Sequence, residues 1–147
     1  MKVGQDLPIL VVDETQSAQV VRSHLRQLGF ANITLVETAR RALEFLETTD
    51  YRLVLSEWAL PDVEALQLLR TVRRNPLRQK VCFVILTAHR QPEDIVAAKE
   101  AGVSRYILKP YSLSTLKAQL DAALLSSGAA TTWNSGASKP GSILQRP

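Results

Sequence analysis

Five side chains in this sequence have the types and placement needed to do chemistry together: Asp13, Glu14, Glu57, Thr87 and Lys109. Each stands where a short apolar, β-branched run stops. Ile9-Leu10-Val11-Val12 precedes the acidic pair, Leu53-Val54-Leu55-Ser56 precedes Glu57, Val81–Leu86 precedes Thr87, and Tyr106-Ile107-Leu108 precedes Lys109. If the runs are parallel strands, their carboxyl ends converge on one crevice, where open α/β sheets bind ligands. Three carboxylates so close repel one another unless a cation neutralises them or one takes up a proton. Two remedies are visible. A hard divalent ion such as Mg²⁺ accepts carboxylate oxygens and water, and Lys109, before the Pro110 turn, supplies a compact positive charge. With the Thr87 hydroxyl as a donor, these are the parts needed to handle a phosphoryl group. The competing reading is a structural ion cluster.

The elements that position them follow from periodicity. Leu7–Val12, Ile33–Val36, Leu53–Ser56, Val81–Thr87 and Tyr106–Leu108 read as buried strands. Between them, apolar residues recur at helical spacing: Ala18, Val21, Leu25 and Leu28; Ala39, Leu43 and Leu46; Ala65, Leu66, Leu69 and Val72; Ile95, Val96 and Ala98; Leu113, Leu116, Leu120 and Leu124. Thr15 or Ser17 suits the cap of the first helix, and Ser112 or Ser114 that of the last. Gly29, Asn75-Pro76 and Gly102 end helices, and Pro92 suits a first helical turn. Strand and helix alternate five times with short connections. That pattern predicts a doubly wound α/β fold with one five-stranded parallel sheet and five helices. Val81–Thr87, apolar on both faces, is expected to be central.

The chain of 147 residues is expected to form one domain over 1–125. From Ser126 to Pro147, 15 of 22 residues are Ser, Gly, Ala, Thr or Pro. Such a stretch buries too little surface to offset its ordering entropy, so a flexible tail is expected. A docking peptide built on Trp133 or Ile143-Leu144 is the alternative. Charged residues at 22% and the absence of a long apolar run fit a soluble protein. The charged N-terminus lacks a signal region, which places the expected location in the cytoplasm. Cys82 lies in an apolar run and reads as a small buried hydrophobe.

Net charge is +4, but the first 125 residues carry 16 basic against 14 acidic groups. Arg70, Arg73, Arg74, Arg78 and Lys80 form an acid-free run, read as a solvated surface because no aromatic residue interleaves to stack on bases. Nucleic acid is therefore not an expected partner. His24 reads as a surface or partly buried histidine, and His89 as a loop residue able to tune access beside Thr87.

Taken together, Ile9–Glu14, Ser56-Glu57-Trp58, Leu60-Pro61-Asp62, Leu86-Thr87-Ala88 and Tyr106–Pro110 resemble the receiver domain of two-component response regulators, of the CheY-like type, over about residues 7–125. The resemblance implies the flavodoxin-like strand order 2-1-3-4-5. It also implies a phosphoryl group taken from a histidine kinase onto an aspartate. Asp13 and Glu14, with the carbonyl of Ala59 and the acceptor at position 57, would hold Mg²⁺. Thr87 and Lys109 would contact phosphoryl oxygens, and Tyr106 would turn inward as Thr87 is drawn to the phosphate. Ile95, Lys99, Tyr106 and Lys117 would lie on an output surface of helix 4, strand 5 and helix 5 facing protein partners, kinase or target.

The chain departs from that pattern at the acceptor itself, where Glu57 stands in place of aspartate. One methylene moves the carboxylate by about 1.5 Å, and a misplacement of about 1 Å can cost 10²-fold in rate. A longer carboxylate also reaches toward where a phosphoryl group would sit and can pair with Lys109. With one charge and two oxygens it mimics phosphate only in part. Glu14 replaces the more usual aspartate, and Glu64-Ala65 stands where Asp-Gly is usual. The leading expectation is a non-enzymatic single-domain regulator, independent of phosphorylation, acting by protein contact. The alternatives are a Mg²⁺-dependent phosphoacceptor, and a scaffold or oligomerising adaptor whose site is only structural.

Overall fold

The computed structural model describes residues 6–126. Strands β1 (Ile9–Val12), β2 (Ile33–Val36), β3 (Leu53–Ser56), β4 (Cys82–Thr87) and β5 (Arg105–Leu108) alternate with helices α1 (Ser17–Gln27), α2 (Ala39–Thr48), α3 (Ala65–Arg74), α4 (Pro92–Glu100) and α5 (Leu113–Ser126). All four strand pairings are parallel, in the order β2-β1-β3-β4-β5. The apolar β4 is interior, as its two apolar faces predict, and β3 is the middle strand. The expected tail begins at Ser126, which closes α5, and its remainder, with Trp133 and Ile143-Leu144, lies outside the described residues. No helix among the described residues is long and apolar enough to cross a membrane.

Alternation along the strands divides the core in two, because successive side chains leave opposite faces of a sheet. Ile9, Val11, Leu53, Leu55, Val84 and Leu86 face a layer that includes Val21 and Leu25 of α1 and Leu116, Leu120 and Leu124 of α5. Leu10, Val12, Val54, Phe83 and Ile85 face Ala42 and Leu46 of α2, Leu68, Leu69 and Val72 of α3, and Ala98 of α4. Cys82 is buried in the first layer, and burial pushes its thiol up to about 12, so it acts as a hydrophobe.

One helix start, that of α2, is held in part by a group the local sequence does not reveal. Thr38 accepts from Arg41 N–H at 3.0 Å as an ordinary cap. The remaining open donors of α2, the Ala39 and Arg40 N–H groups, donate to the carboxylate of Asp62 at 3.0 and 2.9 Å, from the loop after β3. Ser112 caps α5 by accepting from Thr115 N–H at 3.0 Å, whereas Gln16 at the start of α1 makes no side-chain cap.

Desolvation works against the charged form of Asp62. The N–H groups of Ala39, Arg40, Asp62 itself and Val63 outweigh it and hold the carboxyl below its ordinary value of 3.8. A group whose native pKa is depressed stabilises the fold above its unfolded value and loses that contribution as pH falls through the native one. Asp62→Ala is expected to cost about 1 kcal/mol at neutral pH. In urea titrations the difference from wild type should shrink as pH falls below 3.8; a pH-independent difference would count against the cap.

Candidate functional site

The strand register brings the expected residues to one edge. Val12 pairs with Ser56 and Thr87 with Leu108. The ladder runs one residue further, with Glu57 N–H donating to Val12 O at 3.0 Å and Lys109 N–H to Thr87 O at 2.9 Å. Asp13, Glu57, Thr87 and Lys109 therefore leave β1, β3, β4 and β5 at nearly the same level. The Lys109–Pro110 peptide bond is cis.

Glu57 is the hub of this edge. Its Oε1 accepts from the Lys109 ammonium at 3.0 Å. Its Oε2 accepts from the backbone N–H of Trp58 at 2.8 Å and from the hydroxyl of Thr87. Thr87 is buried, and the Glu57 and Lys109 side chains keep only 18% and 22% of their exposure, so water screens the pair little. Lys109 also donates to Ser17 Oγ at 3.1 Å, and Ser17 Oγ donates to Asp13 Oδ2 at 2.7 Å. One ammonium thus links the two acids, directly on one side and through a hydroxyl on the other. Asp13 Oδ1 accepts from Thr15 N–H at 2.8 Å and Thr15 Oγ1 at 2.7 Å.

The donor types suit a hard cation, but most of the acceptor positions on Asp13 and Glu57 are already used by the protein itself. A carboxylate offers roughly four lone-pair positions. Three on Asp13 and three on Glu57 are taken by protein donors. Glu14 is exposed, and the bridge that pairs Ala59 with Glu64 is closed by Ala65 N–H donating to Trp58 O, which leaves the Ala59 carbonyl outside it. Among the described residues no group of three or more His, Cys, Asp or Glu side chains is arranged to hold a metal ion. The acids of the expected set, Asp13, Glu14 and Glu57, are therefore not gathered as one open ligand group. The physical reason is that a hydroxyl and an ammonium already occupy the space between the acids.

Tyr106 is half-buried against the second core layer, and its hydroxyl donates to His89 O at 2.8 Å. Burial first, and then the charges of Asp94 and Glu57, push that hydroxyl up to about 12, so it stays a donor. Ile95 and Lys99 are partly exposed on α4, and Lys117 is exposed on α5, where it pairs with Asp121 at 2.9 Å. Ala65 is fully buried at the start of α3, with its N–H donating to Trp58 O at 2.8 Å.

Sequence reasoning left three roles unread. Ser17, considered only as a cap, bridges Lys109 to Asp13; its spacing of four from Asp13 at a helix start was the available signal. His89 stacks on Trp58 with ring centroids 4.7 Å apart and planes within 6°. The basic run is not merely solvated. Arg73 donates to Gly102 O, Gln79 O and Val81 O at 2.9, 3.0 and 2.7 Å, and Arg78 donates to Leu46 O. Nothing in the local pattern distinguishes these two arginines from their neighbours. His24 shares a hydrogen bond of 2.7 Å with the Tyr111 hydroxyl, a tie between α1 and the loop before α5.

Comparison with known proteins places this edge in context. The response regulator receiver domain family model matches residues 9–121. The chemotaxis protein CheY-3 of Vibrio cholerae is 32% identical over 120 residues, spanning 81% of this chain and 92% of that protein. The probable chemotaxis protein CheY of Rhizobium etli is 28% identical over 123 residues, spanning 83% and 95%. Among solved structures, a CheY-like response regulator receiver domain protein from Methanospirillum hungatei superposes with a TM-score of 0.75 at 25% identity, over 84% of this chain and 98% of that one.

Proposed function

Because this chain belongs to the response regulator receiver family of two-component signalling, we propose that it is an atypical receiver whose Glu57 holds the switch without phosphorylation. Members of this family are signalling proteins that work through protein partners such as kinases and targets. The observation that carries the finer reading is the double engagement of Glu57. One side chain takes both the Thr87 hydroxyl and the Lys109 ammonium, the two donors that the resemblance assigns to a phosphoryl group. The methylene that spoils the acceptor geometry is what lets the carboxylate reach both. Thr87 is then drawn to the site permanently, and Tyr106, bonded to His89 O, lies half-buried. Lys109 supplies the positive charge that a divalent ion would otherwise bring. The face of α4, β5 and α5, with Ile95, Lys99, Tyr106 and Lys117, is the surface proposed to meet a partner, and protein rather than nucleic acid is the partner proposed.

The test is direct. The chain, incubated with Mg²⁺ and a small phosphodonor such as acetyl phosphate, is expected to show no mass increment of one phosphoryl group and no acid-labile adduct. An adduct on Glu57 sinks the reading and favours the competent phosphoacceptor. Tryptophan fluorescence across a Mg²⁺ titration is expected to stay flat, because Trp58 adjoins a carboxylate already neutralised by Lys109.

A further inference from the structure

His89 touches every part of the edge that the proposed switch must connect. Its backbone N–H donates to Thr87 Oγ1 at 3.1 Å, and its carbonyl accepts from the Tyr106 hydroxyl at 2.8 Å. Its ring lies flat on the indole of Trp58, the residue whose backbone N–H donates to Glu57 Oε2 at 2.8 Å. Its Nε2 lies 2.7 Å from Asp94 Oδ2, in the first turn of α4, and donates its proton there. The backbone contacts tie the loop to Thr87 and Tyr106, whatever the side chain. Only the imidazole reaches α4.

Two further observations make the ring a determinant of position rather than a surface ornament. The indole Nε1 of Trp58 is buried with no hydrogen-bond partner among the described residues, so ring packing and not a polar anchor sets the indole's orientation. The His89–Asp94 pair keeps 29% and 36% of its side-chain exposure. A pair so exposed adds little to global stability. Its consequence is geometric: the imidazole is held between the indole of Trp58 and Asp94 in the first turn of α4.

We infer that the imidazole of His89 is a positioning residue that passes the state of the Glu57 site to α4 through its bond to Asp94. The inference rests on the reading of Glu57 as the element that holds the switch. It adds a route to the output face that does not run through the Tyr106 ring.

A double-mutant cycle read by amide hydrogen exchange across α4 tests it on the full chain, with wild type, Glu57→Ala, His89→Ala and the double variant. With His89 present, Glu57→Ala is expected to speed exchange of the α4 amides about 5-fold, or about 1 kcal/mol at 1.4 kcal/mol per factor of ten. Without the imidazole the same substitution is expected to change it less than about 2-fold, because the two sites no longer couple. His89→Phe keeps a ring for Trp58 but no donor for Asp94, and is expected to behave like the alanine variant. His89→Gln restores a donor and is expected to recover part of the coupling. Equal effects of Glu57→Ala in both backgrounds, or full coupling in His89→Phe, overturn the inference and leave the reading of Glu57 standing. No effect of Glu57→Ala with His89 in place overturns the reading of Glu57, and the inference with it. Glu57→Gln repeats the cycle if the alanine variant does not fold.

Discussion

Glu57→Asp is expected to take up a phosphoryl group from acetyl phosphate at least about 10²-fold faster than wild type. Shortening the side chain draws the carboxylate back by about 1.5 Å. From there it cannot keep both the Thr87 hydroxyl and the Lys109 ammonium, which in the native chain sit on its two oxygens. Both donors become free to hold an incoming phosphoryl group, and the acceptor oxygen returns to the position that suits in-line attack. Intact mass before and after mild acid reads the outcome. If the aspartate variant stays unmodified, the loss extends beyond the acceptor. The next place to look is the turn where Ala59 bridges Glu64 and the buried Ala65 begins α3. Restored uptake makes Glu57 alone responsible for the atypical state.

Arg73→Ala is expected to cost about 3 kcal/mol, because charge-assisted hydrogen bonds contribute roughly 1.5–3 kcal/mol each and solvent recovers part of what is lost. The guanidinium leaves α3 and donates to three carbonyls, those of Gly102, Gln79 and Val81, with Ser104 Oγ 3.4 Å away. It thereby joins α3 to the entry of β4 and to the turn before β5. Burial lowers its pKa below the ordinary guanidinium value, a cost the chain accepts only where the donors are used. Gly102 sits at φ 96° against it, and a Cβ there would approach Arg73 Nε to 3.2 Å. Arg73→Lys is expected to recover only a minor part, since an ammonium cannot reproduce a planar fork aimed at several carbonyls. Urea unfolding should show a lower midpoint with an unchanged slope. A loss below about 0.5 kcal/mol would return Arg73 to the solvated surface that its neighbours suggest.

The same contrast runs through the molecule. Period-2 and period-3.6 patterns are local, so they can be read without knowing what packs on what. They located all five strands and all five helices, to within a residue or two at the ends of β1, β4 and β5. The residue type following each strand is also local. Asp13, Glu57, Thr87 and Lys109 were therefore legible as one edge before any coordinates, and so was the substitution of glutamate for aspartate.

What only the tertiary structure decided is which of those groups satisfies which. Lys109 finds Glu57 across 52 positions and Ser17 across 92, and Thr87 finds Glu57 across 30. These pairings depend on strand register and side-chain rotamers that no periodicity encodes. The same holds for Asp62, a loop residue that closes the start of α2, and for Arg73, one of five similar charges that became a clamp. It holds for His89, whose ring is committed to Trp58 and Asp94 only once β3 and α4 are in place. The amino-acid order by itself determined that an acid longer by one methylene stands at the acceptor position. The folded chain determined that this acid is already occupied, because the extra reach brings it within hydrogen-bonding distance of two donors at once.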